Sequence, residues 1–157
     1  MKEIALTGTN CHIFADVLSA LLHRGVAVRA FVTYPERVML DDVNLTVSEL
    51  PADDKRRLAD DLEGYHDVIM TFNDDLADHD SNDFTLRHYN EMVNAAIEAG
   101  VSRLIVVGAP ESAAFFMTDL RRRDTVDWVF ISTEGDYADR AAAEATEPHY
   151  HKEEYPA

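Results

Sequence analysis

The sequence predicts an α/β fold, a doubly wound parallel sheet of about six strands in the order 3-2-1-4-5-6. Short apolar runs of strand length alternate along the chain with segments whose apolar residues recur at helical spacing. The connections between them are brief, and a glycine follows several of the helical segments, where helices commonly end. Because strands joined through helices run parallel, this alternation favours right-handed crossovers with helices on both faces of the sheet.

The first half of the chain contains three predicted strands and two predicted helices. The first strand, residues 4–6, leads into an amphipathic helix that ends near Gly25. The second and third strands are residues 26–32 and 43–47. Residues 53–62 form the second helix, because acidic residues occupy its first turn and Gly64 follows its last apolar residue.

The second half contains three further strands. Residues 67–72 are a continuous apolar run, typical of a parallel strand buried on both faces. A helix over residues 84–97 ends at Gly100, a strand follows at 104–107, and residues 111–123 form another helix. The sixth strand is residues 126–132, in which Trp128 and Phe130 alternate with Val129 and Ile131, so that both of its faces are covered.

The length of 157 residues suits a single domain. We assign residues 1–137 to this domain. Residues 138–157 are alanine-rich and then charged, which predicts a helical or mobile acidic tail.

Composition excludes several classes of partner. The formal net charge of −16 argues against nucleic acid, since binding to phosphates requires a basic face. No apolar run approaches the roughly 20 residues of a membrane span, and the first residues lack the layout of a signal peptide. A single cysteine, Cys11, cannot form an internal disulfide, so we expect a cytoplasmic protein.

The turn after the first strand carries the strongest functional signal. It occupies the position of the glycine-rich turn of a Rossmann unit, G-x-x-G-x-x-G, whose glycines permit a tight bend, contact with a pyrophosphate, and close packing of helix on strand. Only Gly8 is present, because Cys11 and Phe14 stand at the second and third glycine positions. Thr9 and Asn10 could still bind a phosphate at the helix N-terminus.

Four segments carry a family resemblance over most of the chain: IALTGT, LEGYHDVIMTF, NEMVNAAIEAGVSRLIVVG and VDWVFIS. Together they resemble the NmrA-like and NADH-flavin-reductase-like atypical short-chain dehydrogenase/reductases. The resemblance implies a Rossmann domain that binds NAD or NADP, in some members as a reductase or epimerase and in others as a redox-sensing regulator.

The resemblance and the strand ends together define a candidate cofactor site. In open parallel sheets the ligand lies over the carboxyl ends of the strands. Arg37 is the cation nearest the end of the second strand, where the family often places an arginine for the adenosine phosphate. The predicted cofactor-binding residues are Gly8, Thr9, Asn10, Cys11, Thr33, Arg37, Phe72, Asn73 and Gly108.

Departures from the family pattern weaken the prediction of an enzyme. The missing glycines predict that the binding of NAD or NADP is weakened or lost. None of the tyrosines has a lysine four residues later, so the standard catalytic pair is absent and we name no catalytic residue. The connection between the fifth and sixth strands is short, and a substrate-covering segment is not evident. Three functions therefore remain: an NAD(P)-dependent oxidoreductase, a non-catalytic nucleotide or redox sensor, and a protein-interaction scaffold.

Three smaller features complete the sequence-based expectations. Cys11 either packs as a small apolar residue, which we favour, or is a reactive thiol at a helix N-terminus. The histidines, including His149 and His151, lack the spacing of a rigid metal site, so we predict no metal. The triplet from Phe115 through Met117 exceeds one helix face, so these residues could cover the sheet edge or contact a partner subunit, and a homodimer contact at Phe116 is one hypothesis.

Overall fold

The computed structural model of the chain describes residues 3–8, 12–32, 34–50, 55–72, 79–123 and 126–146, without the side chains of residues 55–56 and 79–88. Six strands lie within these ranges: β1 (Ile4–Thr7), β2 (Val28–Val32), β3 (Leu45–Glu49), β4 (Asp67–Thr71), β5 (Arg103–Gly108) and β6 (Asp127–Ser132). Five α-helices accompany them: α1 (His12–His23), α2 (Lys55–Leu62), α3 (His79–Glu98), α4 (Ala113–Arg121) and α5 (Tyr137–Thr146). Single 3-10 turns occupy Pro35–Arg37 and Pro110–Ser112.

The six strands form one parallel sheet in the order β3-β2-β1-β4-β5-β6, which confirms the predicted topology. The strand order reverses at β1, which lies between β2 and β4. This reversal is the point where parallel α/β sheets open a crevice at the carboxyl ends of their strands.

Apolar clusters cover both faces of the sheet, as the continuous apolar strands predict. On one face, α2, α3 and α4 bury side chains such as Leu62, Met92 and Leu120. On the other face, α1 and α5 pack on the sheet through residues such as Leu21 and Ala142. Strand β6 contributes to both clusters, with Phe130 on the first face and Val129 on the second, which agrees with the alternation in its sequence.

The third strand begins two residues later than its apolar pattern predicts. The side chain of Asp42 accepts a hydrogen bond from the Asn44 N–H at 2.8 Å, and its carbonyl accepts one from the Leu45 N–H at 3.0 Å. This local turn holds Val43 outside the ladder, so the strand runs from Leu45 to Glu49 instead of over residues 43–47.

Two helix predictions also differ at their ends. Helix α3 begins earlier than predicted, at His79. The predicted helix over residues 111–123 is a 3-10 turn at Pro110–Ser112 followed by α4, which ends at Arg121. Such differences are common at helix ends, where competing turn geometries have similar energies.

Helix α5 begins where the predicted tail begins, and it packs on the domain. Three small residues, Ala141, Ala142 and Ala145, are buried against the cluster that α1 forms with the sheet. The hydroxyl of Tyr137 at the start of α5 donates to Asp16 of α1. Residues 147–157, which include His149 and His151, lie outside the described residues.

A buried polar network joins α3 to α4. The Tyr89 hydroxyl, on a fully buried ring, donates to Asp119 Oδ2 at 2.7 Å. The same oxygen accepts from Arg123 Nε at 2.7 Å, and Asp119 Oδ1 accepts from Arg122 at 2.9 Å. Burial by itself raises the pKa of Asp119, but hydrogen bonds from Arg123, Tyr89 and Arg122 more than offset it, so this pKa lies below its ordinary value.

We expect Asp119→Asn to lower the free energy of unfolding by about 2–4 kcal/mol at neutral pH, because it leaves buried donors without a charged acceptor. The depressed pKa of Asp119 gives stability that is present above its unfolded-state pKa and is lost as the pH falls through the lower, folded-state pKa. Urea unfolding from neutral to acidic pH should therefore show a smaller acid-induced loss in the variant.

Asp16→Asn is the control, because Asp16 also accepts from a tyrosine but is exposed. We expect it to change the free energy of unfolding by less than about 1 kcal/mol. An equal loss of unfolding free energy in Asp119→Asn and Asp16→Asn would contradict a structural role for the Tyr89–Asp119 network.

Candidate nucleotide-binding site

The carboxyl ends of four neighbouring strands define the candidate site. Gly8 follows β1, Phe72 follows β4, Gly108 ends β5 and Ser132 ends β6. The Phe72 N–H donates to the Val107 carbonyl at 2.9 Å, and the Thr133 N–H donates to the Gly108 carbonyl at 2.9 Å. These bonds extend the ladder beyond the strands and hold the ends in one row.

Gly8 lies in a space too small for any side chain. A Cβ at this position would collide with Thr71 Oγ1, and it would also come within 3.0 Å of the Thr71 carbonyl oxygen and 3.3 Å of the Phe14 ring. The Thr71 hydroxyl is fixed because it donates to the Thr7 carbonyl at 3.1 Å. Glycine is therefore required here by the packing of β1, β4 and α1, independently of any ligand.

Phe14, at the third glycine position of the motif, is accommodated inside the domain. Its side chain is only 3% exposed and belongs to the cluster that includes Ile13 and Val17. Its ring also approaches Gly8 from α1. The ring therefore lies in the interface between helix and strand, where the motif's glycine would let the two pack more closely, and it is next to the first residue of the turn.

Aromatic rings fill the space beneath β4, β5 and β6 on the α3–α4 face. The Phe72 ring stacks on Phe116 at a centroid distance of 5.3 Å, and Phe116 stacks on Phe130 at 5.7 Å. Tyr89 meets Phe72 edge-on at 5.6 Å. At Gly108, a Cβ would lie 3.1 Å from the Phe116 ring, so this glycine also permits a close approach. Phe72 can therefore contribute its backbone to the crevice, while its ring belongs to the core.

The same cluster corrects the hypothesis of a dimer contact at Phe116. Phe116 is 1% exposed and packs between Phe72 and Phe130, so it is a core residue of its own chain. Of the triplet, only Phe115 has an exposed side chain, at 40%.

Arg37 lies on the other side of β1, beyond the carboxyl end of β2. The 3-10 turn at Pro35–Arg37 folds it back so that its guanidinium carbon lies 4.4 Å from the centroid of the Tyr34 ring. Both side chains are exposed. The stack fixes a cation at the strand end while leaving guanidinium N–H groups available to an anion.

Five of the nine predicted residues lie outside the described residues: Thr9, Asn10, Cys11, Thr33 and Asn73. Their roles stay predictions. Of the four described residues, Gly8, Phe72 and Gly108 lie at the carboxyl ends of β1, β4 and β5, and Arg37 lies in the 3-10 turn that follows β2.

Two residues of this region did not enter the predicted set. Thr71 restricts the space at Gly8, and its signal in the sequence is a polar residue at the end of β4, after the apolar residues 68–70. Tyr34 supports Arg37, and an aromatic residue three positions before a cation gives only a weak signal for such a stack.

The tyrosines with described contacts are occupied in structural interactions. Burial, together with Asp119, raises the pKa of Tyr89 far above its ordinary value, so its hydroxyl stays protonated. Burial and the neighbouring Glu3 raise the pKa of Tyr65 to about 12. Tyr65 lies before β4, at the amino ends of the strands and away from the crevice.

An open groove of about 520 Å³ lies elsewhere, between β2, β3 and α2. Its polar lining is tied together, because Arg29 donates to Ser48 at 3.0 Å and Tyr65 donates to Glu3 at 2.7 Å. In the described part of the chain, no three metal-ligating side chains come together. None of the described helices has the length and apolar character to cross a membrane.

Comparison with known proteins defines the class. The family model of NAD(P)H-binding proteins matches residues 8–147, and the chain belongs to this family. The resemblance to the NmrA-like atypical short-chain dehydrogenase/reductases is thereby confirmed. A search of curated proteins finds no match.

Solved structures share the fold. A proposed epimerase from Bacteroides thetaiotaomicron superposes with a TM-score of 0.78 and 22% identity, over 96% of this chain and 93% of that one. The NADPH-dependent quinone oxidoreductase QOR2 of Escherichia coli, complexed with NADPH, superposes with a TM-score of 0.74 and 16% identity. The match covers 94% of this chain and 66% of that one. Citrobacter sp. triphenylmethane reductase, complexed with NADP(H), superposes with a TM-score of 0.65 and 20% identity. The match covers 83% of this chain and 48% of that one. The chain thus spans about half the length of the triphenylmethane reductase.

We expect Gly8→Ala to destabilise the domain by about 1–3 kcal/mol, because its Cβ meets a fixed hydroxyl and a neighbouring strand. Gly108→Ala should cost less, since its neighbour is a ring that can shift by a few tenths of an ångström. Urea unfolding of both variants measures the difference.

A double-mutant cycle with Thr71→Ala isolates the cause. Because Thr71→Ala removes the hydroxyl that the new Cβ meets, Gly8→Ala should cost less in that background than in the parent chain. Additive costs would show that Thr71 does not restrict Gly8.

Proposed function

We propose that this chain binds a nicotinamide dinucleotide weakly, as a member of the reductase class with a partly filled cofactor site. The observation that carries the proposal is the position of Phe14, whose buried ring lies against Gly8 where the motif has its third glycine. Family membership and the fold shared with NADPH-bound reductases support the choice of ligand.

Weak binding follows from how the pyrophosphate is normally held. The turn's glycines let backbone N–H groups approach the phosphates closely, and the helix N-terminus favours their charge. Here the bulk of Phe14 is adjacent to the turn, and Cys11 replaces the middle glycine. The helix N-terminus remains, so the electrostatic attraction persists while the close approach is reduced.

Within this proposal, NADP(H) is preferred over NAD(H). The stacked Arg37 lies after β2, where a Rossmann domain places the adenosine ribose. A guanidinium suits a 2′-phosphate because its N–H groups match phosphate oxygens. The acidic residue that would hydrogen-bond the ribose of NAD is missing at positions 33 and 34.

A nucleotide sensor without catalysis is the second candidate. It is favoured because the sequence lacks a Tyr–Lys pair of standard spacing and because the Tyr89 hydroxyl donates its hydrogen bond to Asp119. NADPH oxidation with a quinone or flavin acceptor separates the candidates: turnover supports an oxidoreductase, and binding without turnover supports a sensor. A protein-interaction scaffold that has lost its ligand would show neither binding nor turnover of NADPH.

We place this function in the cytoplasm. The single cysteine and the strongly acidic composition suit a reducing, aqueous compartment.

Phe14→Ala should tighten NADPH binding by about tenfold, equivalent to roughly 1.4 kcal/mol, because it opens the space beside Gly8. Titration of NADPH fluorescence or calorimetry measures the dissociation constant. Phe14→Leu should give an intermediate value. Since removing the ring also costs about 3–5 kcal/mol of stability, thermal unfolding must first show that the variants are folded.

Leu21→Ala is the matched control, because it truncates another buried residue of the same helix and cluster, far from the turn. It should destabilise the domain without tightening the binding of NADPH. An unchanged or weaker affinity in folded Phe14→Ala would contradict the proposal.

Arg37→Gln should weaken NADPH binding about tenfold and leave NADH binding nearly unchanged, because it removes one charge-assisted contact to a phosphate. Arg140→Gln, which removes an exposed arginine of α5, controls for the change in net charge. Parallel titrations with both nucleotides give the ratio of affinities. An equal loss for NADPH and NADH would mean that Arg37 does not read the 2′-phosphate.

A further inference from the structure

Exposed apolar side chains are concentrated in one segment, residues 34–43. Among the described residues, five large hydrophobic side chains are exposed, and four of them lie here: Tyr34 at 48%, Met39 at 88%, Leu40 at 41% and Val43 at 98%. The fifth is Phe115, on α4. A concentration of exposed apolar residues in one segment indicates an interaction surface more strongly than scattered residues do.

The segment leads directly into an edge strand. Within the described part of the chain, β3 pairs with β2 only, so its outer side has no neighbouring strand. On the inner side, the Asn44 carbonyl accepts a hydrogen bond from the Val28 N–H of β2, and the Leu50 N–H donates one to the Val32 carbonyl of β2. Because backbone groups alternate in direction along a strand, the groups of Leu45, Val47 and Glu49 face outward.

Strand β3 lacks several of the usual protections of an edge strand, although the exposed charge of Glu49 is one that it has. Edge strands are commonly blocked by lysine, proline or a bulge. Strand β3 reads LTVSE, and its register with β2 is continuous from Val28–Leu45 to Val32–Glu49. Its outer side is therefore able to accept another strand.

We propose that a second copy of this chain pairs with β3 in antiparallel orientation, joining two six-stranded sheets across a twofold axis. The strand is self-complementary when the axis passes through Val47. In that register Val47 faces its own equivalent, Leu45 faces Glu49, and Thr46 faces Ser48, with no like charges opposed.

The outward-facing groups suit this register. The two Val47 residues exchange their N–H and C=O groups, and each Glu49 N–H meets the carbonyl of the other copy's Leu45. The Leu45 N–H is already bonded to Asp42, so it is not required. Every bond in this arrangement uses a group that faces away from β2.

The apolar segments meet on one face of the joined sheet. Val38, Leu45 and Val47 pack with the cluster on the α1 side, so the exposed segment is anchored to that face of the sheet at Val38. A twofold axis perpendicular to the sheet keeps both copies of the segment on the same face. The proposed dimer would then cover exposed apolar residues of this segment, such as Met39 and Val43, with the exposed Asp41 between them.

Electrostatics predicts how this dimer responds to salt. Each copy carries a formal net charge of −16, so association opposes a repulsion that salt screens. Added sodium chloride should therefore strengthen the dimer, whereas an interface built on ion pairs would weaken. The proposal does not depend on nucleotide binding.

Sedimentation velocity over a range of protein and salt concentrations tests the proposal. The parent chain should dimerise reversibly, more strongly at higher salt. Val43→Asp should weaken the dimer by about tenfold or more, since it places a charge in the apolar contact. Val47→Pro should do the same, because proline removes an outward N–H and leaves the ladder to β2 intact.

Phe115→Asp is the matched control, as it makes the same replacement of an exposed apolar residue outside the segment. It should leave the dimer unchanged. Thermal unfolding and circular dichroism establish that each variant is folded. A monomeric parent at every concentration and salt would overturn the proposal, as would dissociation by Phe115→Asp with no effect of Val43→Asp and Val47→Pro.

Discussion

The close approach of β1, β4 and α1 at Gly8 is the constraint on which the site depends. Thr71 anchors one side of this junction through its bond to the Thr7 carbonyl, and Phe14 closes the other side from the helix. In a Rossmann turn the same junction presents backbone groups to a pyrophosphate. Core packing at this junction therefore lies next to the turn that would meet a ligand, and in this chain the core side includes an aromatic ring.

The rest of the sheet makes that arrangement rigid. On the α3–α4 face, Phe72, Phe116 and Phe130 stack beneath the ends of β4, β5 and β6. Stacked rings at these distances bury large apolar areas and leave little freedom for the strand ends to move. The Tyr89–Asp119 bond fixes α3 to α4 above this layer. The crevice is thus formed mainly by backbone at fixed strand ends.

The sequence predicted the fold because its strongest signals are redundant. Each buried strand is a continuous apolar run, each helix has one apolar face, and both are read from the spacing of residues. The boundaries of β3 and α4 were less accurate, since Asp42 and Pro110 belong to local turns that replace the first residues of the predicted strand and helix. The dimer hypothesis at Phe116 was wrong about that side chain, because a run of three apolar residues does not reveal which one enters the core.

Less of the candidate site could be predicted. The family motif identifies Gly8, but the restriction imposed by Thr71 depends on a contact between strands more than 60 residues apart. The stack of Arg37 on Tyr34 depends on a 3-10 turn that the sequence signals only through Pro35. Contacts of this kind arise from tertiary packing, which residue spacing alone does not specify.

Thermal unfolding of the parent chain with NADP(H) and NAD(H) tests the central claim most directly. A ligand that binds only the folded state raises its stability by RT ln(1 + [L]/Kd), so the concentration at which the shift appears reports the affinity. Weak binding with a preference for NADP(H) predicts a small upward shift at millimolar NADPH, a smaller one with NADH, and none for either at micromolar concentration. A large shift at micromolar nucleotide, or no shift with any nucleotide at millimolar concentration, would contradict it.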